Sequence, residues 1–259
     1  MDSEPDKVLK RFIKFILGTT RSCTNEAILG EMGEFPLHLH NLVSLLKFWH
    51  RVSNMNEQCL VRKALGTHDN MQTDWICTVH FMLNYLNMGV TLTQPRLTST
   101  KTFADLCIQR IKERFIQEWR ERLNNQNSKL RTYGLFKESF EKETYLENVT
   151  DFQMRKSITK FRCSDHHLEI EIGRHKKIPE PLRTCKICCH EIENEKHFLC
   201  SCPGYKAIRA HYFYQEVIND HSWIDILKCK EKETAYKLGN FLTKSFKARE
   251  STLKLNEHN

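Results

Sequence analysis

The stretch CKICCHEIENEKHFLCSC, residues 185–202, packs five of the chain's eleven cysteines and two histidines into eighteen positions. No other segment restricts the fold as strongly, because clustered thiols hold a metal, pair as disulfides or fill a core as small hydrophobes. The cysteine count is odd. The N-terminus, MDSEPDKVLKRFIKFILG, reads as an amphipathic helix with the stripe Val8, Phe12, Phe15 and Ile16, interrupted by Lys10, Arg11 and Lys14, and not as an export signal. The expected compartment is therefore reducing and intracellular, nuclear or cytoplasmic, where disulfides are rare and clustered thiols hold metal. No stretch stays apolar for the roughly 18 residues that a span requires, so no membrane partner is expected.

Taking Cys185, Cys188, His197 and Cys202 gives C-x2-C-x8-H-x4-C, a Cys3His donor set of the kind that encloses one zinc ion tetrahedrally. The first pair can turn both sulfurs to one point, and the eight residues after it suffice for a tight hairpin. Pro203 follows Cys202 directly and suits a helix first turn, which would place Cys202 where a helix N-terminus stabilises a thiolate. Spacing alone leaves the choice open, since Cys189 or His190 can replace Cys188 and Cys200 lies three residues after His197. Four protein ligands leave no position for water, so the expected Zn2+ is structural.

Around this cluster the chain reads as helix. Nine glycines and six prolines among 259 residues are few, which disfavours a sandwich or barrel. Helices are expected near 5–17, 24–32, 36–53, 56–66, 74–88 and 102–125, with Pro36 in a first turn, Asp74 as a cap and a loop over 89–101. Leu39, Leu42, Val43, Leu46, Trp49 and His50 recur at three-four spacing, as do Trp75, Val79, Met82, Leu83 and Leu86. Both stripes read as core faces, and Trp49, His50, Trp75 and His80 read as packing residues. The expected fold is all-α, a helical array carrying a small zinc-stabilised CCHC subdomain. Its expected parts are an N-terminal helical region (1–100), a long helix with connecting helices (101–150), the zinc segment (151–215) and basic C-terminal helices (216–259).

Forty Lys and Arg against thirty-two Asp and Glu give a formal charge of +8, which favours a polyanionic partner. Arg155, Lys156, Lys160, Arg162, Arg174, Lys176 and Lys177 concentrate just before the cysteines. C-terminal to them, Leu238, Phe241, Leu242, Ser245 and Phe246 form a docking stripe that leaves Lys237, Lys244, Lys247 and Arg249 for solvent or phosphates. The tripeptide Asp165-His166-His167 and the trio Asp220, Asp225 and Lys228 carry metal-hydrolase residue types without the supporting clusters, so neither is read as catalytic.

The run LEIEIGR, the two ligand pairs and the exit HFLCSCPGY resemble the zinc-binding segment downstream of the polymerase domain in reverse transcriptases of LINE-type (non-LTR) retrotransposons. The likeness spans about residues 150–215, and EAILGEMGEFPLHL and LRTYGLFK are similar to the helical region before that segment. The resemblance implies Cys185, Cys188, His197 and Cys202 as zinc ligands and a role in holding template RNA or target DNA. An adjacent Asp-Asp pair of the [YF]-x-D-D type is absent, so no polymerase activity is expected. The resulting expectation is a non-catalytic nucleic-acid-binding accessory fragment, or a stand-alone descendant of one. Its phosphate contacts would come from Arg155, Lys160, Arg162, Arg174, Lys176, Lys177 and Lys186, with Tyr205, Tyr212 or Phe213 stacking on bases. The alternative is a zinc-stapled helical scaffold for protein–protein contact.

Overall fold

The computed structural model describes residues 3–124, 129–213 and 222–257. The chain is 71% helical, and no strand occurs among the described residues. In order the α-helices are α1 (Glu4–Leu17), α2 (Asn25–Met32), α3 (Leu37–Ser53), α4 (Leu60–Asn70), α5 (Asp74–Tyr85), the single turn α6 (Val90–Thr93) and α7 (Thr100–Leu123). Then come α8 (Tyr133–Phe136), α9 (Tyr145–Asn148), α10 (Phe152–Arg162), α11 (Glu169–His175), α12 (Lys206–Tyr212), α13 (Ser222–Lys228) and α14 (Lys232–Glu257). Two compact units result. The first comprises residues 1–9 and 35–119, the second 10–34 and 120–259. These boundaries differ from the sequence expectation, because residues 10–34 belong with the second half of the chain.

The first unit is organised by the two apolar stripes. Leu46, Trp49 and Val52 of α3 meet Ile76, Val79 and Leu83 of α5, and Phe103, Cys107 and Ile111 of α7 complete the core. His50 is fully buried, stacked on Phe103 at 4.1 Å, and its Nδ1 lies 3.3 Å from the Thr100 hydroxyl. Trp75 packs at the core's edge, and His80 faces Asp69 at 3.3 Å. Helix α4 begins four residues later than expected, since the Gln58 amide donates to the Asn56 side chain at 2.9 Å and holds a turn there instead. Thr73, not Asp74, occupies the cap position of α5. The expected loop over 89–101 contains α6 and a 3-10 turn at Pro95–Leu97. On α1, Asp6 is buried and accepts bonds from Ser3 and from the His38 ring and amide.

Apolar side chains alone do not build the second unit. Arg162, at the end of α10, is fully buried: it donates to Glu31 of α2 at 2.8 Å, to Glu143 at 2.9 Å and to the Leu227 carbonyl. Its guanidinium also faces the rings of Phe136 and Tyr145, at 4.5 and 5.2 Å. A second, partly buried network joins Arg131 to the buried Glu195 and Glu171, and Glu195 also accepts from His166 at 3.0 Å. Helices α10 and α14 lie side by side and run in the same direction. Gly239 approaches Met154, Thr243 bonds Ser157 at 3.2 Å, and Phe246 meets Phe161 at 6.2 Å. The stripe expected on the last helix is buried at Leu238, Phe241, Leu242 and Ser245.

Candidate metal centre

Cys185 and Cys188 lie in a tight hairpin. Thr184 bridges Ile192, the Cys185 amide donates to the Glu191 carbonyl at 2.8 Å, and the Cys189 amide donates back to the Cys185 carbonyl at 2.8 Å. Cys189 adopts a left-handed φ of 59°, which turns the chain and points its side chain into solvent. The other two ligands come from a π-helical turn, His197–Ser201, closed by the Cys202 amide donating to the His197 carbonyl at 2.9 Å. A 3-10 turn, Pro203–Tyr205, then leads into α12. Gly204 lets this turn press on the hairpin, since a Cβ there would collide with the Ile187 side chain.

The four ligand atoms of Cys185, Cys188, His197 and Cys202 all lie within 4.8 Å of one another. The sulfurs of Cys185 and Cys202 are 3.9 Å apart, and Cys188 Sγ is 3.4 Å from His197 Nε2. With Zn–S near 2.3 Å and Zn–N near 2.05 Å, tetrahedral ligation requires edges of about 3.8 and about 3.6 Å, so the donor set fits such an ion. His197 Nδ1–H donates to Glu191 at 2.7 Å, which fixes the ring and leaves Nε2 aimed at the thiols. The bonds from His197 and then Ser201 lower the Glu191 carboxyl below its ordinary value. Burial pushes the Cys185 and Cys202 thiols up, and the Gly204 amide expected from the helix start only partly offsets this at Cys202. Burial also opposes ionisation of Cys188, but the His190 amide and the neighbouring thiols hold it below the ordinary cysteine value.

The ambiguity that spacing left is resolved by position. Among the described residues this is the one group of three or more such side chains close enough to hold an ion, and Cys189, His190 and Cys200 are outside it. Glu193, between the ligands, escaped the sequence reading. It is fully buried, accepts from Arg249 at 2.8 and 2.7 Å and from the Glu169 amide at 2.8 Å, and lies 3.6 Å from Cys185 Sγ.

The expected phosphate contacts divide. Arg162 is removed from the set, because its guanidinium is sealed against carboxylates. Arg155 donates to the Val149 and Thr150 carbonyls, Arg174 pairs with Glu171, and the exposed Lys186 pairs with Glu169. Lys176 and Lys177 are exposed, and Lys160 is half-buried. Tyr205 and Phe213 are buried and cannot stack on bases, while half-buried Tyr212 lies under the Lys244 ammonium at 5.1 Å. Arg249 is likewise turned inward to Glu193, leaving Lys244 and Lys247 exposed on α14. His166 is buried on Glu195 and His167 is exposed. Asp225 pairs with Lys228, and Asp220 lies outside the described residues. No described helix is long and apolar enough to cross a membrane.

Comparison with known proteins matches the chain to no family model, to no curated protein and to no solved structure.

Proposed function

We propose that the chain is a non-catalytic nucleic-acid-binding accessory unit, related to the zinc-binding segment of non-LTR retrotransposon reverse transcriptases and built around one structural zinc. The observation that carries the reading is the converged Cys3His set. Thiolates with one imidazole suit zinc, and four protein donors close its coordination. Lys176 and Lys177, exposed immediately before the hairpin, offer sequence-independent contacts to RNA or DNA phosphates. The LEIEIGR run has a structural use that suits this reading. Glu169 faces Arg249 and Glu171 pairs with Arg131, and so they tie α11 to the elements around the hairpin, while Arg174 bridges Glu171 within α11.

Elemental analysis of protein purified under reducing conditions is the test of the metal, with about one zinc per chain expected and none in a Cys185→Ser, Cys188→Ser variant. The partner is tested by titrating labelled single-stranded RNA at several salt concentrations. Affinity should fall steeply with salt and fall further on charge reversal of Arg174, Lys176 and Lys177; RNA affinity unmoved by both changes would overturn the reading.

A second reading, a zinc-stapled scaffold for protein contact, is favoured by α1. Ile13 and Leu17 are buried, yet Val8, Phe12, Phe15 and Ile16 stay in solvent, Phe15 at 79% exposure. Contact through that stripe would be nearly insensitive to salt.

A further inference from the structure

Alongside α10 and α14 lies a groove of about 610 Å3, within the usual range for a small-molecule site. Lys156 and Lys160, one helical turn apart on α10, stand on one side. Phe246 and Leu253 of α14 supply apolar surface, and His167 adds an exposed imidazole. The charges of the lining are unequal in their commitments. Asp165 accepts from the Thr20 amide at 2.7 Å and faces Lys129 at 3.6 Å, while Glu250 is bonded by Lys254 at 2.7 Å. Arg249 is spent on Glu193 and His166 on Glu195. Lys156 and Lys160 have no ion-pair partner among the described residues.

Lys156 is also held in place. Gly18, at φ 66°, packs on its stem so closely that a Cβ there would lie 2.8 Å from Lys156 Cγ. Partial desolvation, then the nearby Lys160 ammonium, lowers the pKa of His167 below the ordinary imidazole value. Two free ammonium groups beside apolar and aromatic surface match a ligand that is anionic at one end and flat and apolar at the other. An inorganic anion would leave the apolar surface unused, and an apolar peptide would leave both ammonium groups unanswered.

We propose that this groove binds a nucleotide, with its phosphate on Lys156 and Lys160 and its base against Phe246 beside His167. The nucleotide is either free or one unit of a single strand. The proposal deepens the nucleic-acid reading above, and its strand arm rests on that reading.

The experiment uses the full metal-loaded chain and two probes, a labelled twelve-nucleotide single-stranded RNA and adenosine monophosphate. It compares wild type, a Lys156→Gln, Lys160→Gln variant and an Arg174→Gln, Lys176→Gln, Lys177→Gln variant, each checked for unchanged melting temperature and zinc content. The groove variant should bind RNA at least roughly tenfold more weakly, and its slope of log affinity against log salt should be shallower by about 1.4, the amount for two lost single-strand phosphate contacts. RNA affinity lost only in the Arg174 variant would overturn the groove and leave the nucleic-acid reading standing. No RNA binding by wild type, with adenosine monophosphate bound and lost in the groove variant, would overturn the nucleic-acid reading and establish a free-nucleotide pocket. Neither probe binding to wild type would overturn both.

Discussion

The two units bury opposite kinds of chemistry. Residues 35–119 close around Leu46, Ile76, Val79, Leu83 and Phe103, an apolar core needing no exact pairing of charge. Residues 120–259, with 10–34, bury Arg162 and Arg249 against Glu31 and Glu193, hold half-buried Arg131 on the buried Glu195, and collect four metal-type ligands beside them. An apolar core loses stability in proportion to what is cut from it. A buried ionic network fails when one partner goes, because the other is left charged without water. The second unit should therefore be brittle and metal-dependent where the first is graded and indifferent to chelators.

Metal removal is the strongest way to break this contrast. Apparent binding of structural zinc in small sites is worth roughly 10–16 kcal/mol, against ~5–15 kcal/mol for a whole domain. Chelation should abolish hydrogen-exchange protection in α10, α11 and α14 while α3 and α5 keep theirs; equal loss in both sets would end the comparison. Next in size, Arg162→Ala should cost about 3–5 kcal/mol in denaturant unfolding of the second unit, because Glu31 is left buried without its cation while Glu143 keeps only Lys137. A double Arg162→Met, Glu31→Leu variant should recover part of that loss. In the first unit, Leu83→Ala should cost about 2–5 kcal/mol, with the same value in the presence and absence of chelator.

The smallest expected effect is one of pH. Burial opposes ionisation of Asp6, but bonds from Ser3 and His38 outweigh it and lower the carboxyl from 3.8 to about 2. A carboxyl depressed by folding adds stability above its unfolded value and loses it as pH falls through the folded one. Acid titration of wild type against Asp6→Asn should show a wild-type advantage that is full above about pH 4 and gone near pH 2. An advantage unchanged across that range would remove the ionic account of α1's start.

The same contrast decides what could be read in advance. The stripes of α3 and α5 are local and periodic, so the sequence shows both the helices and the face they bury, and Pro36 marks where α3 begins. The metal set was legible because its four ligands fall within eighteen residues. It was not unique, because only the left-handed turn at Cys189 and the His197 bond to Glu191 select among the nearby thiols and rings. The ionic networks were not legible. Arg162 and Glu31 are 131 residues apart, and an arginine that faces a buried carboxylate looks in sequence like one that faces solvent. That is why sequence alone places Arg162 among the phosphate cations and Arg249 on an outward face, while Lys160, Lys176 and Lys177 are the ones left accessible.

The π-helical turn at His197–Ser201 sets a rule about length as well as about residues. The hydrogen bond from the Cys202 amide to the His197 carbonyl closes over five residues, so His197 and Cys202 reach the same point only with four residues between them. Deleting Cys200 would remove no ligand, yet it would tighten the turn to an ordinary helical one and carry Cys202 about 100° around the axis. Among relatives of this chain, insertions and deletions should therefore be excluded from this short interval even where its side chains vary freely.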